Sequence, residues 1–411
     1  MTARIGLVAA LLTTSFAAAA DRSQWMQWRG NSRTCQVEGA AGWPEQLSGS
    51  LKEMYRVPLG PGYSGPIVSA DRVFLTETVN KEKEVTRAVD RASGKELWKI
   101  EWEGAMSVPF FAASNGSWIR ATPAFDGERL FVPGMLDVLV AINSADGSEA
   151  WRQDFRQLFK TSGQTFGFVC SPLIDAGALY VQTSGGLIKM SCETGEIIWR
   201  SLNEAGGMMG GAFSSPMIGE LAGTRQLIVQ TRAKLCGVDL ESGEELWSMA
   251  IASFRDMNIL TPTIIGDRIF TSCYGGGAHM YEVTNTPQGW GIKEIWKNTT
   301  EAYMSSPVVV GDAIYLHLRN QRLACLNPTN GEPFWRTTPF GKYWSMAVNG
   351  DQVLALDETG DLILFKANQQ EFQLSDRLHV SDASAWAHLA VADEQVFVRA
   401  LDELIVYSWG Q

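Results

Sequence analysis

This 411-residue chain is short of the side chains that build metal and redox sites. Its six cysteines (Cys35, Cys170, Cys192, Cys236, Cys273 and Cys325) include no adjacent pair and no CxxC. Its four histidines (His279, His317, His379 and His388) have no second His, Cys or carboxylate at ligand spacing, so no metal site is expected. GxSxG and HExxH are absent, and Gly275-Gly276-Gly277 opens no helix, which argues against a phosphate loop. Basic residues are scarce as well. The 34 Lys and Arg against 45 Asp and Glu leave a net charge of −11, which argues against a nucleic-acid partner, because phosphates require a basic surface. Beyond the N-terminus no stretch is long and apolar enough to cross a bilayer.

The first 20 residues read as a cleavable signal: Arg4, an apolar run over 5–16, and Ala18-Ala19-Ala20 before Asp21. The expectation is therefore a periplasmic or secreted protein made of one domain, 21–411. No Cys follows the cleavage point to carry a lipid, so a lipoprotein is not expected. Export permits disulfides. The spacing leaves their number and pairing open, with mostly buried thiols favoured and one or two bridges allowed.

Tryptophan, by contrast, is plentiful, with 15 in the chain, and it recurs in step with turns. LCGVDLESGEELW over 235–247 reads as strand, Ser-Gly turn and strand closed by Trp247, and related hairpins end at Trp98, Trp151, Trp199, Trp296 and Trp335. Ahead of most of them lie an x-Pro start (Gly65-Pro66, Thr122-Pro123, Ser171-Pro172, Ser215-Pro216, Thr261-Pro262, Ser306-Pro307) and a second apolar strand. The fifth hairpin carries an insertion over 286–291, and two copies without a terminal Trp close the chain. Units of four short strands at a period of roughly 39 to 57 residues predict an all-β, eight-bladed β-propeller. The eighth copy lacks its outer strand, and residues 51–57 form a spare one with Tyr55 near the place of the repeated Trp. Pairing the two closes the ring and removes its open edge.

The element Ala88-x-Asp90-x-x-Ser93-Gly94-Lys95-x-x-Trp98, echoed at 239–247 and 327–335, resembles the tryptophan-docking motif of quinoprotein-type, PQQ-like propellers. That superfamily includes PQQ-dependent alcohol dehydrogenases and the outer-membrane assembly factor BamB. Trp25-x-Gln27-Trp28-Arg29-Gly30 and Gly62-Tyr63-Ser64-Gly65-Pro66 are similar to exported PQQ-like propeller proteins of planctomycetes and related bacteria. The resemblance implies that Trp98, Trp151, Trp199, Trp247, Trp296 and Trp335 dock one blade on the next. In the dehydrogenases PQQ sits under two adjacent bonded cysteines, beside calcium held by Glu and Asn. This chain has no such cysteine pair, so PQQ with calcium is not expected.

The fold does not supply the function. Acid pairs such as Asp357-Glu358 and Asp402-Glu403 read as solvated turn charges rather than glycosidase carboxylates. What remains is one face of loops. Those leading into each first strand carry Tyr63, Trp118, Arg120, Arg156, Lys160, Phe168, Phe213, Arg255, Tyr303, Lys342, Tyr343, Trp344, Trp386 and His388. They either plug a wide ring or line an aromatic mouth for a protein or peptide partner, or a glycan. The expected role is a non-catalytic binding or scaffold module, monomeric; the alternatives are a PQQ or quinone oxidoreductase and a carbohydrate-binding or carbohydrate-cleaving propeller.

Overall fold

The computed structural model describes residues 22–39, 42–203 and 211–410. The expected signal segment and most of the Gly- and Met-rich loop over 206–213 lie outside the described residues.

Eight separate four-stranded antiparallel sheets form an eight-bladed propeller. Blade 1 runs Ile67–Val68, Arg72–Val79, Lys83–Asp90 and Glu96–Glu103, from the short inner strand to the outer one. Blade 2 (Ala124–Phe125 to Glu149–Asp154), blade 3 (Leu173–Asp175 to Ile197–Ser201) and blade 4 (Met217–Leu221 to Glu245–Ala250) repeat that order. So do blade 5 (Thr263–Ile265 to Gly289–Asn298), blade 6 (Val308–Val310 to Pro333–Arg336) and blade 7 (Trp344–Asn349 to Gln373–His379). Blade 8 takes Ala390–Ala392, Gln395–Ala400 and Glu403–Ser408 from the C-terminus and its outer strand, Lys52–Pro58, from the N-terminus. The ring thus closes as its missing strand required.

The core lies between blades. The middle strands alternate with a period of two and are buried on both faces, so each face packs against a neighbour. Phe74 of blade 1 meets Phe125 of blade 2, with ring centroids 5.1 Å apart, and Trp98 at 5.9 Å. Each fully buried Phe of this kind contributes about 1.5–3 kcal/mol of apolar transfer.

One bulge recurs in every outer strand. In blade 1 Trp98 pairs with Ala88 while Glu96 pairs with Val89, so one residue is extra just before the Trp. Blades 2 to 6 repeat it before Trp151, Trp199, Trp247, Trp296 and Trp335. A bulge re-aims the side chain that follows it. The Trp98 indole N–H thereby reaches the Ser144 carbonyl of blade 2 at 2.8 Å, and a Cβ on Gly147 would lie 2.6 Å from the ring. Trp151, Trp199, Trp296 and Trp335 donate likewise to Cys192, Leu240, Pro328 and Asn368 of the next blade.

Trp247 departs from the expected docking. Its N–H donates to Gln226 of its own blade at 2.6 Å. The reason lies in blade 5, whose third and fourth strands run on to a turn at 286–289, so no Asp-x-x-Ser-Gly turn waits there for an indole. Blade 7 departs too: its bulge precedes Asp376, whose carboxylate accepts the Ser48 N–H at 2.7 Å and anchors the approach to the closing strand. All six cysteines are buried and unpaired, so the disulfides left open by spacing do not form.

Candidate functional site

Residues 25–37 cross the centre of the ring on its inner strands. Trp25 exchanges backbone hydrogen bonds with Val68 of blade 1, and Met26 accepts from Phe125 of blade 2. The Gln27 side chain pairs with the Ile174 backbone of blade 3 in both directions. Val37 and Cys35 bond to Val348 of blade 7. Two guanidiniums complete the strap: Arg29 donates to the Pro307 carbonyl of blade 6, and Arg33 to Pro172 at 2.6 Å and Ser171 at 3.1 Å. Both are buried, at 1% and 2% exposure, and their charges meet carbonyl dipoles rather than carboxylates.

Above this strap lies a funnel of about 650 Å³, with Trp28 in its lining. The Arg29 and Arg33 guanidinium carbons both lie 5.5 Å from the Trp28 ring centroid, and His388 meets that ring edge-on at 5.8 Å. Burial pushes the Arg33 guanidinium down to about 9 and the His388 imidazole down to about 3, because desolvation disfavours the charged form of each. His388 is therefore neutral at physiological pH.

A belt of hydroxyls surrounds the throat. From blade 1 to blade 6 the residue before the blade-starting Pro donates its N–H to the side-chain oxygen at the same place in the next blade: Gly65 to Thr122, Thr122 to Ser171, Ser171 to Ser215, Ser215 to Thr261 and Thr261 to Ser306, over 2.9–3.3 Å. Between blades 7 and 8 the direction reverses, with the Leu389 N–H on Ser345 Oγ. Pro fixes the turn, and the hydroxyl supplies an acceptor for a buried N–H that has no strand partner. The Gly65 position also needs its missing side chain, since a Cβ there would lie 2.7 Å from the His388 carbonyl of blade 8.

Aromatic rings form the wall. Tyr63 stacks on Trp386 at 4.6 Å, Trp386 meets Tyr343 at 4.2 Å, and Tyr343 stacks on Tyr303 at 6.1 Å. Opposite them Phe111, Phe166 and Phe213 follow one another at 6.1 and 5.6 Å. Arg120, Arg232 and Arg255 interrupt the wall, and no Asp or Glu lines it among the described residues. Arg120 is held by the Trp118 and Gly116 carbonyls, and burial lowers it to about 10. The Arg232 guanidinium lies 4.8 Å from the Phe213 ring and donates to the Arg255 carbonyl. Burial raises the phenols of Tyr63, Tyr303 and Tyr343, so they stay protonated.

Of the sequence-predicted surface residues, Tyr63, Arg120, Phe213, Arg255, Tyr303, Tyr343, Trp344, Trp386 and His388 line the funnel. Lys342 is exposed and sends its ammonium over Tyr343 at 5.2 Å, and half-buried Trp118 packs on Gly116, both outside the lining. Arg156 pairs with Asp154 at 3.0 Å on the short helix Phe155–Phe159, and exposed Lys160 caps that helix at φ 55°. Phe168 corrects its expected place. It is fully buried against Phe155, because its loop folds back into the gap between blades. Asp357 is likewise no solvated turn charge: it is fully buried and accepts from the Trp344 indole at 2.9 Å and the Gly341 N–H at 2.7 Å.

Sequence reasoning passed over Trp28, Arg232 and the hydroxyl belt. Only the belt carried a repeated signal, the Ser or Thr before the blade-starting Pro in blades 2 to 6.

Comparison with known proteins follows the same frame. A family profile described as "Outer membrane protein assembly factor BamB" matches residues 81–337. The assembly factor BamB of Yersinia pestis is 20% identical over 304 residues, covering 71% of this chain and 69% of the relative. That of Moranella endobia is 22% identical over 315 residues, covering 72% and 73%. Among solved structures, BamB from Moraxella catarrhalis superposes with a TM-score of 0.61 at 13% identity, over 88% of this chain and 98% of that one. The quinohemoprotein alcohol dehydrogenase of Comamonas testosteroni gives 0.67 at 13% identity, over 95% and 81%. At such identities the superpositions establish the fold.

Proposed function

The chain belongs to the outer membrane protein assembly factor BamB family, and from that premise we propose that it is a non-catalytic scaffold of the cell envelope that holds a partner protein at its aromatic funnel. One observation carries the reading: a funnel of about 650 Å³ whose wall is stacked aromatic rings and arginines, with no carboxylate among the described lining residues. Such a wall offers rigid apolar area with directional donors, the composition of a protein-binding hot spot.

The same lining argues against chemistry at this place. Burial keeps its histidine neutral and its phenols protonated near neutral pH, so these groups present uncharged rings and hydroxyls to whatever enters. Quinone with calcium would need carboxylate ligands, which the described lining residues lack, and its arginines would repel the ion. The residues present do not fit that pair. A periplasmic location belongs to this reading; the signal-like pattern of residues 1–20 and the outer-membrane assembly named for the relatives support it.

The test is a photo-crosslinking amino acid at Tyr303 in producing cells. The reading expects one dominant envelope-protein adduct that is lost with Trp386→Ala and absent when the crosslinker sits at the exposed outer-strand position Leu97. Dye reduction after reconstitution with PQQ and calcium would overturn it.

A further inference from the structure

The protein as a whole carries a net charge of −11, yet its funnel carries the opposite sign. Arg120, Arg232 and Arg255 line it with no acid among the described lining residues, and Arg29 and Arg33 lie buried directly behind its Trp28 floor. Arg29, Arg33 and Arg120 are held by backbone carbonyls, and the buried Arg33 Nε has no hydrogen-bond partner among the described residues. Guanidiniums desolvated in this way are costly unless a negative charge compensates them. A concave, low-dielectric site lined by one sign of charge also focuses its field on whatever enters. Two acids stand behind the wall and are already engaged: Glu358 accepts from the Trp386 indole at 2.9 Å and the Lys342 N–H at 2.8 Å, and Asp357 accepts from the Trp344 indole at 2.9 Å.

The funnel is also blind. The strap over residues 25–37 bonds to inner strands of blades 1, 2 and 3 on one side and to blades 6 and 7 on the other, with Trp28 against His388. A polypeptide entering from the mouth has no exit through the ring, so it enters as an end or as a sharp loop. The positive floor selects between the two ends, because an amino terminus would meet like charge.

Resting on the scaffold reading above, we propose that the funnel receives the carboxy-terminal end of a partner polypeptide, its last side chains among the aromatic rings and its terminal carboxylate toward the arginines and the hydroxyl belt. Thr122, Ser171, Ser215 and Ser306 each accept a backbone N–H and line the cavity. A hydroxyl that accepts still has its own proton to give, so the belt supplies neutral donors for a carboxylate.

The experiment screens the full-length protein against random hexapeptides anchored by their amino ends, one set with free carboxylates and one with carboxamides, and titrates the selected peptides by calorimetry. The proposal expects binders mainly in the free-acid set, with at least tenfold weaker binding on amidation. Arg120→Gln should remove most of that acid preference, Arg120→Lys should keep it, and Trp386→Ala should weaken acid and amide forms alike. Equal binding of acids and amides would overturn the carboxylate inference and leave the scaffold reading standing. If neither set binds while Tyr303 still crosslinks to a partner, the chain-end inference fails alone; if the crosslink fails too, both readings fall.

Discussion

The Tyr55 hydroxyl donates to the Arg91 carbonyl at 2.9 Å, and its ring covers Gly94. Trp98 makes the same two contacts one blade on, to Ser144 and Gly147. Tyr55 follows a bulge as the tryptophans do, since Glu53 pairs with Tyr407 and Tyr55 with Val406. A tyrosine delivered by the far end of the chain thus closes the ring with the chemistry used inside it.

Removing that contact should loosen the closure. Tyr55→Phe is expected to cost about 0.5–1.5 kcal/mol for the hydrogen bond, measured by urea unfolding. Gly94→Ala should cost more, because φ there is +72° and the new Cβ would collide with the Tyr55 ring. Deleting residues 21–57 should expose a blade edge and cause aggregation, visible by light scattering. A truncated protein that stays monomeric with unchanged melting would refute closure by this strand.

Trp98 and Trp247 should respond differently to their neighbours. Gln226→Leu strips the Trp247 indole of its acceptor inside blade 4. An unsatisfied buried donor there should cost about 1–3 kcal/mol. No equivalent residue of blade 1 holds the Trp98 indole, which bonds to the next blade's backbone, so a side-chain change cannot orphan it. A double-mutant cycle of Gln226→Leu with Trp247→Phe should show strong coupling.

The hydroxyl belt makes Ser171 structural as well as exposed to the funnel. Ser171→Ala leaves the Thr122 N–H without its acceptor at 3.0 Å, and a loss of about 1–3 kcal/mol is expected. Ser171→Thr keeps the oxygen and should recover much of it. Equal melting of the serine and alanine forms would show that water replaces the hydroxyl.

Glu84 should tilt the pH profile. It is fully buried, and desolvation raises its carboxyl to about 7 although the Met135 N–H and Trp102 indole donate to it. The folded state then holds a proton that the unfolded state releases above its ordinary value. Stability is greatest below that value and falls as pH rises towards 7, by up to about 3 kcal/mol. Glu84→Gln should flatten the wild-type slope between pH 5 and 8 in denaturant unfolding, even though the amide loses one of the two donors.

Thiol titration checks the cysteines. All six are buried and unpaired, and burial raises Cys170, Cys273 and Cys325 to about 11. A thiol reagent should react slowly with the native protein and count six groups after unfolding without reductant.

The repeat was legible because each blade must bury both faces of the same short strands, and that constraint rewrites Pro, Gly and Trp at matching places. The funnel wall was legible in part for the same reason: Tyr63, Tyr303, Tyr343 and Trp386 stand at one place relative to the first strand of their blades. Trp28, Arg29 and Arg33 were not, since they belong to no repeat and act on strands more than a hundred residues away. Phe168 misled for a local reason, as loop position says nothing about which way a loop folds.

What the amino-acid order determined by itself is therefore the periodic part: the number of blades, their strands and the strand that closes them. Period-two burial and turn residues act over short distances and recur. The tertiary structure alone decided the aperiodic part. It turned Trp247 inward because the hairpin opposite it is long, and it drew a strap with two arginines across the axis. The funnel's charge, opposite in sign to that of the whole chain, arises only where distant segments meet. Electrostatic sign in a cavity is a property of which side chains share a low-dielectric space, and one-dimensional spacing does not specify that.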